Sequence, residues 1–385
     1  MADVTTLFPE SYAASRARFR EDFPVIEERW PGARLEHHRL SGDEDLTIDW
    51  IQAPARERQQ KLLTFTTGEH GIEAYVGSAM LRLFLDEFLP RLNPVETGLL
   101  IVHAINPWGM KHRRRTNRAN VDLNRNFVLD PGSLDRSFNP CYGRLCPLLN
   151  PEGPLRSVAV GTLAFWLGLI RCMASLGPGR LAEATLLGQY CFPQGVYYGG
   201  EALQEETQVL CALYREHIRA YEQVVHLDMH TGYGPRYQMS VVNSWMEPRD
   251  SAELERTFSY PLVVKANPAE FYGMRGDMID YLYALVHGQF PHKRFYAASF
   301  EFGTLGDSLF ARLRSLRILI FENRVHWFGA RDPAVRARVA REFEELFAPR
   351  EERWRKKAVA DARQAFEGVL RAERLLCDGS ATTRA

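Results

Sequence analysis

The chain has 385 residues, enough for one large α/β domain with a sizeable core. Apolar residues make up 45% and charged residues 25%, an ordinary globular balance. Lys plus Arg and Asp plus Glu both number 48, and the resulting zero net charge argues against nucleic acid or an acidic membrane as the main partner.

In chain order, the first 23 residues carry mixed charges and no apolar core of the secretory type, so they read as a surface helix. Residues 35–56 predict a strand or a hairpin around the polar stretch LSGDED. Strands are predicted at 61–66, 99–105, 224–230, 237–243 and 295–302. Helices are predicted at 72–89, 155–175, 202–222, 276–287, 306–318, 333–346 and 351–374. This alternation predicts a single α/β domain over 1–350, with a central mixed, mostly parallel sheet flanked by helices and ligands bound at the strand ends. Residues from 131 to about 200 are rich in Pro, Gly and Cys and read as an insertion, either a functional rim or a packed surface excursion. Within it, Val158–Ile170 is the most apolar window. It falls short of the ~20 residues a bilayer needs and reads as a buried helix. Residues 351–376 form a charged amphipathic helix, and 377–385 a disordered tail. The six cysteines form no CxxC pair and no export signal precedes them, which implies reduced thiols and a cytoplasmic location.

The stretch TTGEHGIEAY, Thr66 to Tyr75, lies at the seam between a predicted strand and a predicted helix. His70 and Glu73 are three residues apart there and can point into the crevice above the strand. Imidazole nitrogen and carboxylate oxygen are both zinc ligands, and a catalytic zinc takes three protein ligands and one open position. Glu69 is excluded as a ligand if the strand stays extended, because neighbours face opposite sides. The pair is a weak signal alone, since the helix dipole also favours a glutamate in a first turn. A third ligand is required at another strand end. His230 meets this need, where the apolar run Val224–Met229 meets a turn with two glycines. A turn-capping histidine is the plainer reading of His230. His226 and Asp228 share its face, and Asp228 could orient a ligand histidine or be a buried structural carboxylate.

The run from Asn106 to Phe127, NPWGMKHRRRTNRANVDLNRNF, contains a short basic patch that could touch nucleic acid. Its end does not read as a solvated face: Asn124 and Arg125 lie between apolar Leu123 and Phe127. A guanidinium fork beside an amide suits the anionic end of a substrate. Glu301, in the apolar strand RFYAASFEFGT, is costly to bury unless partnered, and a metal-associated water would partner it.

Taken together, HGIE, NP.G…RR…NVDLNRNF, DMHTG and SFEFGT resemble the zinc carboxypeptidases of the carboxypeptidase A type. They are most similar to a bacterial branch known only as a domain of unknown function. The resemblance runs from about residue 70 to about 304. It implies one Zn2+ held by His70, Glu73 and His230, with Glu301 as general base. It implies Arg114, or Arg115 as the alternative, to polarise the scissile carbonyl, and Asn124 and Arg125 to hold a terminal carboxylate. An active-site tyrosine has no secure counterpart; Tyr281 and Tyr283 fall in the right region, where helix packing explains them equally well. The implied activity is hydrolysis of an amide next to a free carboxylate. An N-acyl amino acid deacylase and a non-catalytic binding homologue are the alternatives. The implied partner is a peptide or an N-acyl amino acid; the oligomeric state is not legible.

Overall fold

The computed structural model describes residues 4–42, 44–177, 179, 187–265 and 275–376. Runs that bury both faces take the middle of its sheet, as parallel strands covered by helices must. These are β3 (Lys61–Thr67), β4 (Thr97–His103), β5 (Gln223–Thr231) and β8 (Arg294–Phe302), which run parallel in the order β4-β3-β5-β8. Every residue of β4 and β5 is buried. The predicted hairpin is β1 (Arg34–Arg39) and β2 (Thr47–Ala53), which extends the sheet antiparallel beyond β4. On the other side β6 (Met239–Asn243) pairs antiparallel with β8, and β7 (Val263–Lys265) closes the eight-stranded order. β7 is three residues long, too short to show a period in sequence. The result is the mixed, mostly parallel α/β sheet that the sequence predicts.

Side-chain parity divides the two faces. Phe65 of β3 meets Phe84 of the Ala74–Glu87 helix at 5.2 Å between ring centroids. It also meets Phe366 of the Glu352–Ala372 helix at 5.7 Å. The C-terminal amphipathic helix thus joins the main core rather than standing apart. Residues 377–385 lie outside the described residues. The opposite face carries a polar column: Thr64, Thr66, His226 and Asp228, under Tyr214 of the Glu205–Ala220 helix.

Among the described residues the insertion supplies two α-helices, Pro140–Leu149 and Val158–Leu176. With Leu309–Phe328 and Pro333–Phe347 they enclose a second apolar core around Tyr142, Phe165 and Phe321. The expectation of a buried helix at 158–170 needs correction. Val158, Phe165 and Leu169 face this core, whereas Val160, Leu163, Leu167 and Ile170 stand in the open. The helix also continues past Arg171 to Leu176, and its Val158–Ser175 window is long and apolar enough to cross a membrane.

Candidate metal centre

β3 ends at Thr67, and the chain turns at once. Gly68 adopts φ +75°, and a Cβ there would sit 2.6 Å from that of Ala74, so only glycine fits the turn. His70 follows, then a single 3₁₀ turn, Gly71–Glu73, that feeds the Ala74–Glu87 helix. This turn is pressed against the short Pro107–His112 helix that follows β4. A Cβ on Gly71 would lie 2.1 Å from the carbonyl carbon of Gly109. The Gly71 and Ile72 amides donate to the Arg115 and Arg114 carbonyls at 3.1 and 2.9 Å. β3 lies between β4, the next strand in sequence, and β5, so the crevice opens where the strand order reverses.

Three side chains close on one point there. His70 Nδ1 is 3.0 Å from Glu73 Oε1, His230 Nδ1 is 3.4 Å from Glu73 Oε2, and the two Nδ1 atoms are 3.3 Å apart. Donors about 2.0–2.2 Å from one tetrahedral ion lie roughly 3.3–3.6 Å from each other, so this spacing fits a bound divalent cation. The far nitrogen of each ring is held by an aspartate. His70 Nε2 donates to Asp122 Oδ1 at 3.0 Å, and His230 Nε2 donates to Asp228, which Thr66 anchors at 2.6 Å. Each ring is thereby fixed with its Nδ1 lone pair facing inward, the arrangement of metal-ligating histidines. All five groups are buried.

Five carboxyl groups crowd this crevice, and burial pushes that of Glu69 well above the usual range. Glu69, Glu73, Asp122, Asp228 and Glu301 gather around one guanidinium, Arg115, and two imidazoles. Burial opposes the charge on Glu73, yet His70, the His230 hydrogen bond and Arg115 together hold its carboxyl below the usual range. The Thr231 amide donates to the same carboxylate at 2.8 Å. Burial pushes the Glu301 carboxyl up to about 7, against the pull of His230. Glu301 pairs in register with His230 across β5 and β8, and its buried Oε2 has no partner among the described residues. It therefore faces the cluster without belonging to the tight trio.

The two candidate arginines are separated. Arg113 takes a left-handed conformation, φ 53°, and the next two side chains diverge. Arg114 turns away and is clamped by Glu322 at 2.9 Å, Asn323 at 3.1 Å and Asn120 at 3.2 Å. Arg115 turns inward, donating to Glu73 at 2.9 Å and reaching Asp122 at 3.3 Å. The location expected of Arg114 is thus filled by Arg115. Asn124 and Arg125 sit on the 3₁₀ turn that follows Asp122. The Asn124 side chain accepts from the Met278 amide at 3.0 Å, and Arg125 packs against Gly188 of the insertion while helping to hold Asp122 charged. Tyr281 and Tyr283 serve packing: Tyr281 meets Phe127, and the Tyr283 hydroxyl donates to Glu247 at 2.6 Å. His226 is a core histidine bonded to Thr64 at 2.6 Å, and burial lowers its pKa to about 4.

Three residues escaped the sequence reading. Asp122 lies inside NVDLNRNF and links His70 to Arg115. Tyr197 of the insertion, at φ 58°, lines a small cleft with Arg115 and Asp122. Glu69 was set aside on the premise of an extended strand, which the turn at Gly68 breaks. Its carboxylate reaches to 3.4 Å from His230 Nε2, and Glu69, His70 and His230 can also bring their donor atoms together. We favour Glu73 as the third ligand, because it meets the inward Nδ1 of both rings, whereas Glu69 approaches a nitrogen already taken by Asp228.

A family model described as a protein of unknown function (DUF2817) matches residues 8–361, and the chain belongs to that family. No curated protein matches it. Among solved structures it is similar to bovine thrombin-activatable fibrinolysis inhibitor in complex with tick carboxypeptidase inhibitor, at 15% identity and TM-score 0.44, over 82% of this chain and 95% of that one. It is similar to carboxypeptidase A from Helicoverpa armigera at 14% identity and TM-score 0.44, over 92% and 74%. An aspartoacylase family protein from Mesorhizobium loti is similar at 16% identity and TM-score 0.37, over 78% and 68%.

Proposed function

We propose that the protein is a zinc-dependent hydrolase that cleaves an amide bond next to a free carboxylate. The observation that carries this reading is the convergence of the Nδ1 atoms of two rings, each pinned at Nε2 by an aspartate, and one carboxylate, with Glu301 facing them through an Oε2 that has no partner among the described residues. His70, Glu73 and His230 would hold the ion. Bound there, zinc would supply Lewis-acid polarisation of the carbonyl and a more acidic water. Glu301 takes the proton of the attacking water and passes it to the leaving amine; a carboxyl raised to about 7 is suited to both roles. Arg115 donates to the carbonyl oxygen as charge develops on it. Asn124 and Arg125 bind the substrate carboxylate, beside the wall that the insertion supplies through Gly188 and Tyr197. On this reading residues 1–350 are the catalytic domain, with the insertion at about 131–200 as its rim. The substrate is a peptide or an N-acyl amino acid.

The test uses paired substrates, one with a free terminal carboxylate and one amidated. Arg125→Ala leaves a bound carboxylate without its partner, a loss on the order of 2–5 kcal/mol. The loss should fall on the free-acid substrate, while the amidated one is poor from the start and changes little. Equal losses on both would reduce Arg125 to a loop support and favour an endo-acting or deacylating hydrolase. Metal analysis of the purified protein should find about one zinc per chain.

A further inference from the structure

The Val158–Leu176 helix is apolar along most of its length, with Thr162, Arg171 and Ser175 as its polar side chains. Its 18-residue window has a mean hydropathy of 1.6, yet only 17% of it is buried. A helix of this kind belongs in an interior. One side is satisfied by the second core, through Val158, Phe165 and Leu169. The other side presents Val160, Leu163, Leu167 and Ile170, from 47% to 63% exposed. Their spacing of three, four and three residues is that of a helix–helix seam. The stripe does not end with the helix. Trp166 stacks on Phe310 at 5.7 Å and 7° between rings, and Leu309 and Phe310 are 70% and 67% exposed.

We propose that this face is the interface of a homodimer. The exposed parts of these six side chains come to roughly 650 Å² of apolar surface, close to the ~800 Å² per partner that a standard interface buries. A two-fold axis places the same stripe on both sides, so one self-complementary surface suffices. A bilayer is the competing cover. Surface binding to lipid is built on Lys and Arg lining the apolar face, and Arg171 is the single charged residue of this helix.

The experiment is sedimentation and light scattering of the full chain at micromolar concentration, with hydrogen exchange followed over a dilution series. The dimer should show twice the chain mass of 44.1 kDa. Leu163→Asp combined with Ile170→Asp should halve the measured mass. Val25→Asp, on an exposed apolar residue of the separate Phe23–Arg29 helix, should not. Amides of 160–173 should lose protection on dilution of the wild type. Circular dichroism confirms that the double variant is folded. A monomeric wild type overturns the proposal, as does a dimer that survives the double substitution. So does a monomeric wild type that floats with phosphatidylcholine or phosphatidylserine vesicles through this face.

Discussion

At the ends of β3, β5 and β8, polar groups hold one another in place: each histidine is gripped at both nitrogens, and Glu73 takes contacts from two rings, a guanidinium and a backbone amide. In the layer built by the insertion and the Leu309–Phe328 helix, the second core is apolar and its outer face carries leucines, isoleucine and phenylalanine into the open. The first region crowds buried carboxyl groups together, and those of Glu69 and Glu301 keep oxygens with no partner among the described residues; the second carries excess apolar surface. On the readings proposed above, a cation answers the first and a second copy of the chain answers the second.

The strongest way to break the first half of that contrast is to leave the negative charge uncompensated. Chelation should abolish turnover, and zinc should restore it. The chelated protein should also melt earlier, because an ion present at a thousand times its Kd contributes about 4 kcal/mol of stability; calorimetry with and without zinc measures this. Next in size is Glu301→Gln, which should retain the metal and lower kcat by about 10²–10⁴. Near-normal kcat would remove Glu301 from the reaction. The adjacent arginines sharpen the contrast further. Arg115→Ala should cost about 10²–10³ in kcat, the loss of an oxyanion donor. Arg114→Ala should instead leave kcat nearly intact and destabilise the fold by about 3–5 kcal/mol, since Glu322 loses its buried partner. Kinetics and urea unfolding of both variants separate the two roles.

The smallest effect concerns a carboxylate with no cationic partner among the described residues. Glu206 is buried beside Asn117, whose amide donates to it at 3.2 Å, and burial raises its carboxyl to about 7. A raised acid favours the folded state while protonated. That contribution is full below about pH 4.5 and lost as pH climbs through about 7. Glu206→Gln should therefore match the wild type in stability near pH 4 and exceed it by about 2–3 kcal/mol at pH 8. Unfolding curves at the two pH values decide it; a constant gap would mean Glu206 does not titrate in this range.

The sequence made the strand-end histidines legible because residue type, strand parity and the nearby turn all agree at His70 and His230. Parity also foretold that Asp228 shares the face of His230, and the two do meet. The reasoning stopped where the backbone leaves a regular period. Gly68 turns the chain, so Glu69 does not follow strand alternation. Arg113 takes a positive φ that no residue-type rule assigns to arginine, so Arg114 and Arg115 could not be told apart. Asp122 sits in a loop, where spacing says nothing of direction. The outer face of Val158–Leu176 was hidden for a different reason: apolar composition shows that a surface needs cover, not that the chain itself provides it.

The contact between Gly71 and Gly109 has a bearing on mutational tolerance. Two backbones meet there with no room for a single methyl on either, because a Cβ on Gly109 would in turn lie 2.7 Å from the Thr116 carbonyl oxygen. In a saturation library these two positions should accept glycine alone, despite neither side chain taking part in any chemistry. Selection on activity would mark them as strictly as the histidines. The pair of glycines, 38 positions apart in the chain, could then serve as a signature for finding the same crevice in distant sequences whose ligands have changed.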